Sequence, residues 1–380
     1  MRSSRTRLLG WATLAGALAA TCAHILYRGL GQQFAIFDFA AYYYAAVRLG
    51  LGHGLYPQLG RDFTVGELGL FLYPPPVAAA FLPFTVIPVE AASVIWAGLL
   101  LMLAAVVIVA LTRPVDARLR PLAAGLLVFS IPLQTEVANG NLTLVTLALV
   151  LVAWRLRARS AASGALLAIA LLIKLMPALL VPFVLAAGRW RIAAAMALAL
   201  LLVVVLSWPW LGPSWLDYLR LVQVLAAAPH VSDATHDMVP AGLAAGPGRY
   251  VLPALALCIA LYAGRLAMVR PASASLAFAV TVAAAPLISS FVFYPYLVLS
   301  LPLVVLLCFV ERRPAVRVLG FVGLLLTDLS SPPAPWDTVP LVGLLILLAT
   351  GVVVLHRAGL PVAESAPSVA APAERRATAL

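Results

Sequence analysis

The sequence predicts an all-α, polytopic integral membrane protein, and three observations carry that prediction. Of 380 residues, 64% are hydrophobic and only 10% are charged, whereas a soluble domain carries about 25% charged residues. The apolar residues come in runs long enough to cross a hydrocarbon core, which needs about 17–25 residues per helix. The basic residues stand at the ends of those runs, as in Arg2/Arg5/Arg7, Arg155/Arg157/Arg159 and Arg312/Arg313/Arg317, where topology requires them. That placement, without interleaved aromatics, also explains the formal net charge of +11 and excludes a nucleic-acid partner. Cys22, Cys258 and Cys308 lie in apolar runs and read as small hydrophobes, giving neither a disulfide framework nor a metal site.

Taken in order, residues 1–7 form a basic cytoplasmic N-terminus. The run 8–27 is an uncleaved first span, longer than the apolar part of a signal peptide. An external loop, 28–73, follows. Pro74–Pro88 is apolar but reads as a re-entrant or surface-lying helix, because a crossing there would invert the arginine pattern. Spans are then expected at 89–112, 120–136, 141–154, 160–174, 176–188 and 191–208. A second external loop, 209–249, opens with Trp208-Pro209-Trp210, and spans resume at 250–268, 272–288, 296–310, 315–328 and 339–355. This gives about twelve crossings, with residues 8–357 as one polytopic domain and 358–380 as a disordered cytoplasmic tail rich in Ala, Pro, Ser and Glu. Most acids fall on the external side, Glu136 among them at the outer rim, and so do both long connections. Long polar loops carry sites, so the chemistry is expected outside the cell, at the inner (plasma) membrane.

The residues able to do chemistry gather there. Phe37-Asp38-Phe39-Ala40-Ala41-Tyr42-Tyr43-Tyr44 places a carboxylate and three tyrosines on a surface helix that ends near Leu49. Asp38 and Tyr42 share a face. Asp38 reads both as the helix cap and as an acid–base centre. Tyr73 precedes three prolines that fix a helix entry, and Tyr73 can line a cleft. Asn139-Gly140-Asn141 opens an inward span; either asparagine can cap it, and the amides there can meet a phosphate. Lys174, the only lysine, stands among apolar residues. It either snorkels to the interface or pairs with a lipid-linked phosphate, with Arg48 as a second cation. In the second loop, Asp217, His230, Asp233, His236 and Asp237 are polar residues placed to touch substrate; their spacing matches no metal motif. The turn Ser289–Leu297 adds Tyr294 and Tyr296 as a cleft wall. No metal or other cofactor is expected.

These stretches resemble glycosyltransferase family 87, polytopic enzymes of the GT-C type, over about residues 35–310. Asp38-Phe39 with Tyr42-Tyr43 and Gly54-Leu55-Tyr56, then Tyr73-Pro74-Pro75 leading to Pro83 and Pro88, then Asn139-Gly140-Asn141, then Ala168 to Pro177 carry the likeness in order. The resemblance implies a GT-C-like bundle with external juxtamembrane helices. It implies a polyprenyl-phosphate sugar donor, most often mannose, a lipid-linked or cell-envelope glycan acceptor, and Asp38 as general base. The chain departs from the family pattern where Asn139-Gly140 replaces Gly-Gln. It departs again where Ser290, Tyr294, Pro295 and Tyr296 stand in a turn that often carries Asp or His.

The chemistry agrees. Outside the cell no nucleotide sugar is present, so the donor must arrive on a lipid. Inverting transfer needs one base and a stabiliser for the departing phosphate. The alternative is a transporter or flippase for lipid-linked sugars, which would need ionisable residues deep in the bundle.

Overall fold

The structure is a computed structural model describing residues 8, 10–16, 18, 37–60, 70–227, 238–240, 246–289, 292–329 and 338–357. The first expected span and the C-terminal tail lie largely or wholly outside them. Every described element is helical, with no strand among the described residues.

A short outer layer comes first. Helix α1 (Phe37–Gly50) ends at a glycine turn in which Gly52 has φ 71°. A 3-10 turn at Pro57–Gly60 follows, then α2 (Pro75–Ala80) and a second 3-10 turn at Leu82–Val86. Proline fills the first turn of α2, where no amide hydrogen bond is lost. At six residues α2 rises about 9 Å, too little to cross a bilayer.

The bundle begins with α3 (Val89–Thr112), which turns Val94, Ile95, Met102, Val106 and Val109 outward. Lipid is the solvent that suits such a face. Helices α4 (Arg120–Phe129) and α5 (Ile131–Asn139) are one broken segment, bent by 54° at Ser130. The break is satisfied from another helix: Asp328 Oδ1 accepts from Ser130 Oγ and from the Ile131 amide, both at 3.2 Å. Then come α6 (Thr143–Arg155), α7 (Ser160–Ile173), α8 (Leu180–Ala186), α9 (Trp190–Ala227), α10 (Val251–Val269) and α11 (Ala274–Ala284). After a 3-10 segment at Tyr294–Ser300, α12 (Leu301–Val305) runs into a π turn, and α13 (Pro314–Thr327) and α14 (Val339–Arg357) complete the described residues.

Five of these segments are long and apolar enough to cross a membrane, or six if the bent α4–α5 pair is one span. The others in the bundle are shorter apolar helices, so the expected twelve full crossings are not what the described residues show. Small residues let the helices approach. A Cβ added to Gly264 of α10 would stand 2.5 Å from the Phe183 carbonyl oxygen of α8, and one on Gly343 of α14 would stand 2.6 Å from the Thr327 amide nitrogen of α13.

The second external loop differs most from expectation. Helix α9 does not stop at Pro209 but runs through Pro209 and Pro213 to Ala227, 38 residues in all. Each proline removes only one hydrogen bond. Side chains brace the interval: Ser207 Oγ donates to the Val204 carbonyl at 3.2 Å, and buried Trp215 donates Nε1–H to Ser207 Oγ at 2.9 Å. The extension carries Leu221 and Tyr218 against the outer layer and becomes one of its walls.

Candidate active site

The outer layer has its own core. Phe39, Tyr42, Tyr43, Tyr56, Phe71 and Phe81 supply six of its fifteen buried residues. Buried tyrosines and tryptophans need partners for their polar tips, and here those partners cross-link distant parts of the chain. Tyr43 donates to the Ile87 carbonyl at 2.8 Å, Tyr56 to the Tyr73 carbonyl at 2.7 Å, and Gln58 Nε2 to the Phe71 carbonyl at 2.9 Å. Tyr42 and Tyr73 share a hydroxyl–hydroxyl bond of 3.0 Å. Burial raises the ionisation of both phenols well above the ordinary range, so they remain neutral hydroxyls and not bases. Phe39 stacks on Trp96, whose Nε1–H donates to the Gly140 carbonyl at 2.9 Å. The first turn of α1, which carries Asp38, is thereby fastened to the Asn139–Asn141 turn.

That turn is built by glycine chemistry. Gly140 has φ 68° and ψ 27°, the left-handed conformation that lacks steric cost only without a side chain. The Asn141 amide returns to the Glu136 carbonyl at 3.0 Å, and the Gly140 amide to the Val137 carbonyl at 3.2 Å. This pair of bonds closes α5 as a Schellman motif. The Asn141 side chain then emerges in a defined pose. Its Oδ1 accepts from the Thr143 amide at 3.1 Å and from Thr143 Oγ1 at 2.9 Å, which leaves its Nδ2 to donate to Asp38 Oδ2 at 2.7 Å. One amide thus satisfies the start of α6 with its oxygen and holds a carboxylate with its nitrogen. The carboxylate also lies in the first turn of α1, where the helix dipole favours it.

Lys174 reaches the same place from α7. It follows the last residue of that helix in an extended conformation, φ −147° and ψ 144°, before Pro177. Its side chain is 8% exposed, and Nζ lies 4.1 Å from the centre of the Tyr296 ring. An ammonium over an aromatic face is held by the ring quadrupole. This is an inward-directed cation, not a snorkelling one. Asp38 and Glu136 are both within its electrostatic reach.

Glu136 had no role in the sequence reading beyond its place at the outer rim. In the structure it is fully buried, on the α5 turn that precedes Gly140. Its Oε2 accepts from the Leu144 amide at 2.9 Å, while Oε1 has no hydrogen-bond partner among the described residues. A carboxylate in an otherwise apolar helix, three residues before Asn139, was the signal that could have found it.

The remaining predicted residues divide. Asn139 ends α5, half-buried, and leaves the capping to Asn141. Arg48 is not brought to Asp38: ten residues along α1 place it about 15 Å away, where Nη2 donates to the Leu55 carbonyl at 3.3 Å. Asp217 forms an exposed ion pair with Arg220 at 3.0 Å on the α9 extension, beside Tyr218 and Tyr56. Tyr294 is buried but faces Asp328 at the α4–α5 bend, and its hydroxyl has no hydrogen-bond partner among the described residues. His230, Asp233, His236 and Asp237 lie outside the described residues. Among the described residues no group of three or more His, Cys, Asp or Glu side chains could hold a metal ion.

Asp38, Asn141, Glu136 and Lys174, with the Tyr42–Tyr73 pair, therefore form one polar cluster under an aromatic layer at the end of an apolar bundle. The sequence profile described as glycosyltransferase family 87 matches residues 71–295, more than half of the chain. The chain belongs to glycosyltransferase family 87. It is a membrane glycosyltransferase, an enzyme that moves a sugar from a donor to an acceptor. No curated protein and no solved structure matches it. The family 87 match includes Tyr73, Glu136, Asn141 and Lys174 but begins after Asp38. The tie between Asp38 and the matched region is the Asn141 hydrogen bond.

Proposed function

We propose that this enzyme transfers a sugar, mannose as the first to test, from a polyprenyl-phosphate donor to a lipid-linked or cell-envelope glycan acceptor, with inversion. Asp38 is the general base and Lys174 the group that faces the donor phosphate. The acceptor hydroxyl attacks the anomeric carbon and gives its proton to Asp38. The bond between that carbon and the phosphate oxygen breaks, and polyprenyl phosphate departs beside Lys174. The observation that carries this reading is the Asp38–Asn141 bond of 2.7 Å formed beside a buried lysine. It places an oriented carboxylate and an ammonium in one low-dielectric site, where their electrostatic effects are large. Glu136 is fully buried, so it is poorly placed to be the nucleophile that a retaining mechanism needs.

An external site at the inner membrane is supported by α6 and α7. Asn141 and Lys174 stand at one end of these helices and Arg155, Arg157 and Arg159 at the other, about 20 Å away. Family membership disfavours the flippase reading. The test is a transfer assay with purified enzyme in lipid nanodiscs. Polyprenyl-phosphate mannose should support formation of a glycosidic bond of opposite anomeric configuration to the donor, and nucleotide mannose should not. Transfer from the nucleotide sugar alone would refute the proposal.

A further inference from the structure

We infer that Glu136 is a positioning residue that takes up a proton on Oε1 when the anionic donor enters, so that donor binding is coupled to protonation of a carboxylate that never touches the sugar. The inference rests on the phosphate donor proposed above and deepens it. Its basis is the surroundings of Glu136. One oxygen is occupied by the Leu144 amide; the other has no hydrogen-bond partner among the described residues, so a proton can be added without breaking a bond. The groups that face it are Lys174, Asp38 and Tyr42 from α1, Tyr73, and the Thr143 hydroxyl from α6. Tyr296 backs Lys174 from the 3-10 segment. Of these, Lys174 is the cation and Asp38 a like charge.

Lys174 can balance one carboxylate. A phosphodiester adds another negative charge, and three anions around one ammonium in a buried site repel strongly. Asp38 must stay ionised to act as base. Glu136 is the carboxylate that can give up its charge: it is sealed from solvent, lies under the site, and has an oxygen free to hold the proton. Once neutral, it leaves the ammonium to the phosphate while Oε2 still accepts from Leu144. No covalent change is involved beyond the proton taken from solvent.

The test is calorimetric titration of the nanodisc-embedded enzyme with a short-chain polyprenyl-phosphate mannose, whose single charge is constant over roughly pH 6 to 9. Buffers of different ionisation enthalpy report the protons taken up. The wild type should bind with uptake rising toward one proton per donor as pH increases, and its Kd should weaken by up to about tenfold per pH unit on the alkaline side. Glu136→Gln, which keeps an oxygen for Leu144, should bind without uptake and with a Kd flat in pH. Wild-type binding without uptake, or uptake that persists in Glu136→Gln, would overturn the coupling. Wild-type binding without uptake overturns the coupling even if the variant does not fold. A phosphate donor that binds no better than the neutral polyprenyl mannoside would instead overturn the donor reading, and the coupling with it.

Discussion

The bundle and the outer layer are both hydrophobic, but they are built by different rules. In the bundle, alanine, valine and leucine pack helix on helix, and glycines such as Gly264 and Gly343 set how closely backbones approach. Its polar groups mostly satisfy their own helices, as when Thr281 Oγ1 donates to the Ala277 carbonyl at 2.9 Å. In the outer layer, aromatic rings fill the core and their polar tips bind backbone carbonyls far away in sequence: Trp96 to Gly140, Tyr43 to Ile87, Tyr56 to Tyr73. The first mode tolerates any side chain of suitable volume and gives a scaffold. The second fixes orientation as well as position, which is what a catalytic carboxylate requires. Asp38 stands where the two meet.

Perturbing each side should separate orientation from stability. Of these two perturbations, the larger effect is expected at Asn141. Asn141→Asp keeps the oxygen that serves the Thr143 amide but sets a carboxylate against Asp38 Oδ2, now 2.7 Å from the amide nitrogen. Losing a hydrogen bond to a charged group costs about 1.5–3 kcal/mol, so turnover per folded molecule should fall by about 10- to 100-fold, alongside any drop in melting temperature. A smaller and opposite pattern is expected in the bundle. Gly264→Val forces a side chain against the Phe183 carbonyl oxygen, 2.5 Å from where its Cβ would lie. Overpacking of this kind costs about 1–3 kcal/mol. The melting temperature in detergent should drop, and turnover per folded molecule should stay near wild type. If Gly264→Val abolished turnover without lowering the melting temperature, the division between scaffold and orienting layer would be wrong.

Much of this was legible in the residues themselves. A polytopic helical class follows from apolar runs bounded by arginines. Asp38, Asn141, Lys174 and Tyr296 stood out as functional groups at the ends of those runs, and the structure brings them together. Three features were hidden for physical reasons. Glu136 looked like a rim residue because sequence does not reveal that the Gly140 turn folds α6 over it. Helix α9 passes through Pro209 and Pro213 because tertiary bracing by Ser207 and Trp215 outweighs proline's local penalty. Arg48 shares a helix with Asp38, but ten residues of rise separate them by about 15 Å, and its guanidinium serves the Leu55 carbonyl instead. Expected spans were also too uniform: hydropathy does not show that the α4–α5 segment is bent by 54° around an Asp328 cap.

The central claim is that Asp38 acts as the base, held ready by Asn141. Asp38→Asn tests it most directly, because the amide keeps an oxygen for the Asn141 Nδ2 donor but lacks the carboxylate's charge and its capacity to take a proton. In the nanodisc transfer assay, with folding checked by circular dichroism and elution, this variant should lose about 10²- to 10⁴-fold in turnover while donor binding is not weakened. Turnover at the wild-type rate in a folded Asp38→Asn enzyme would contradict the account.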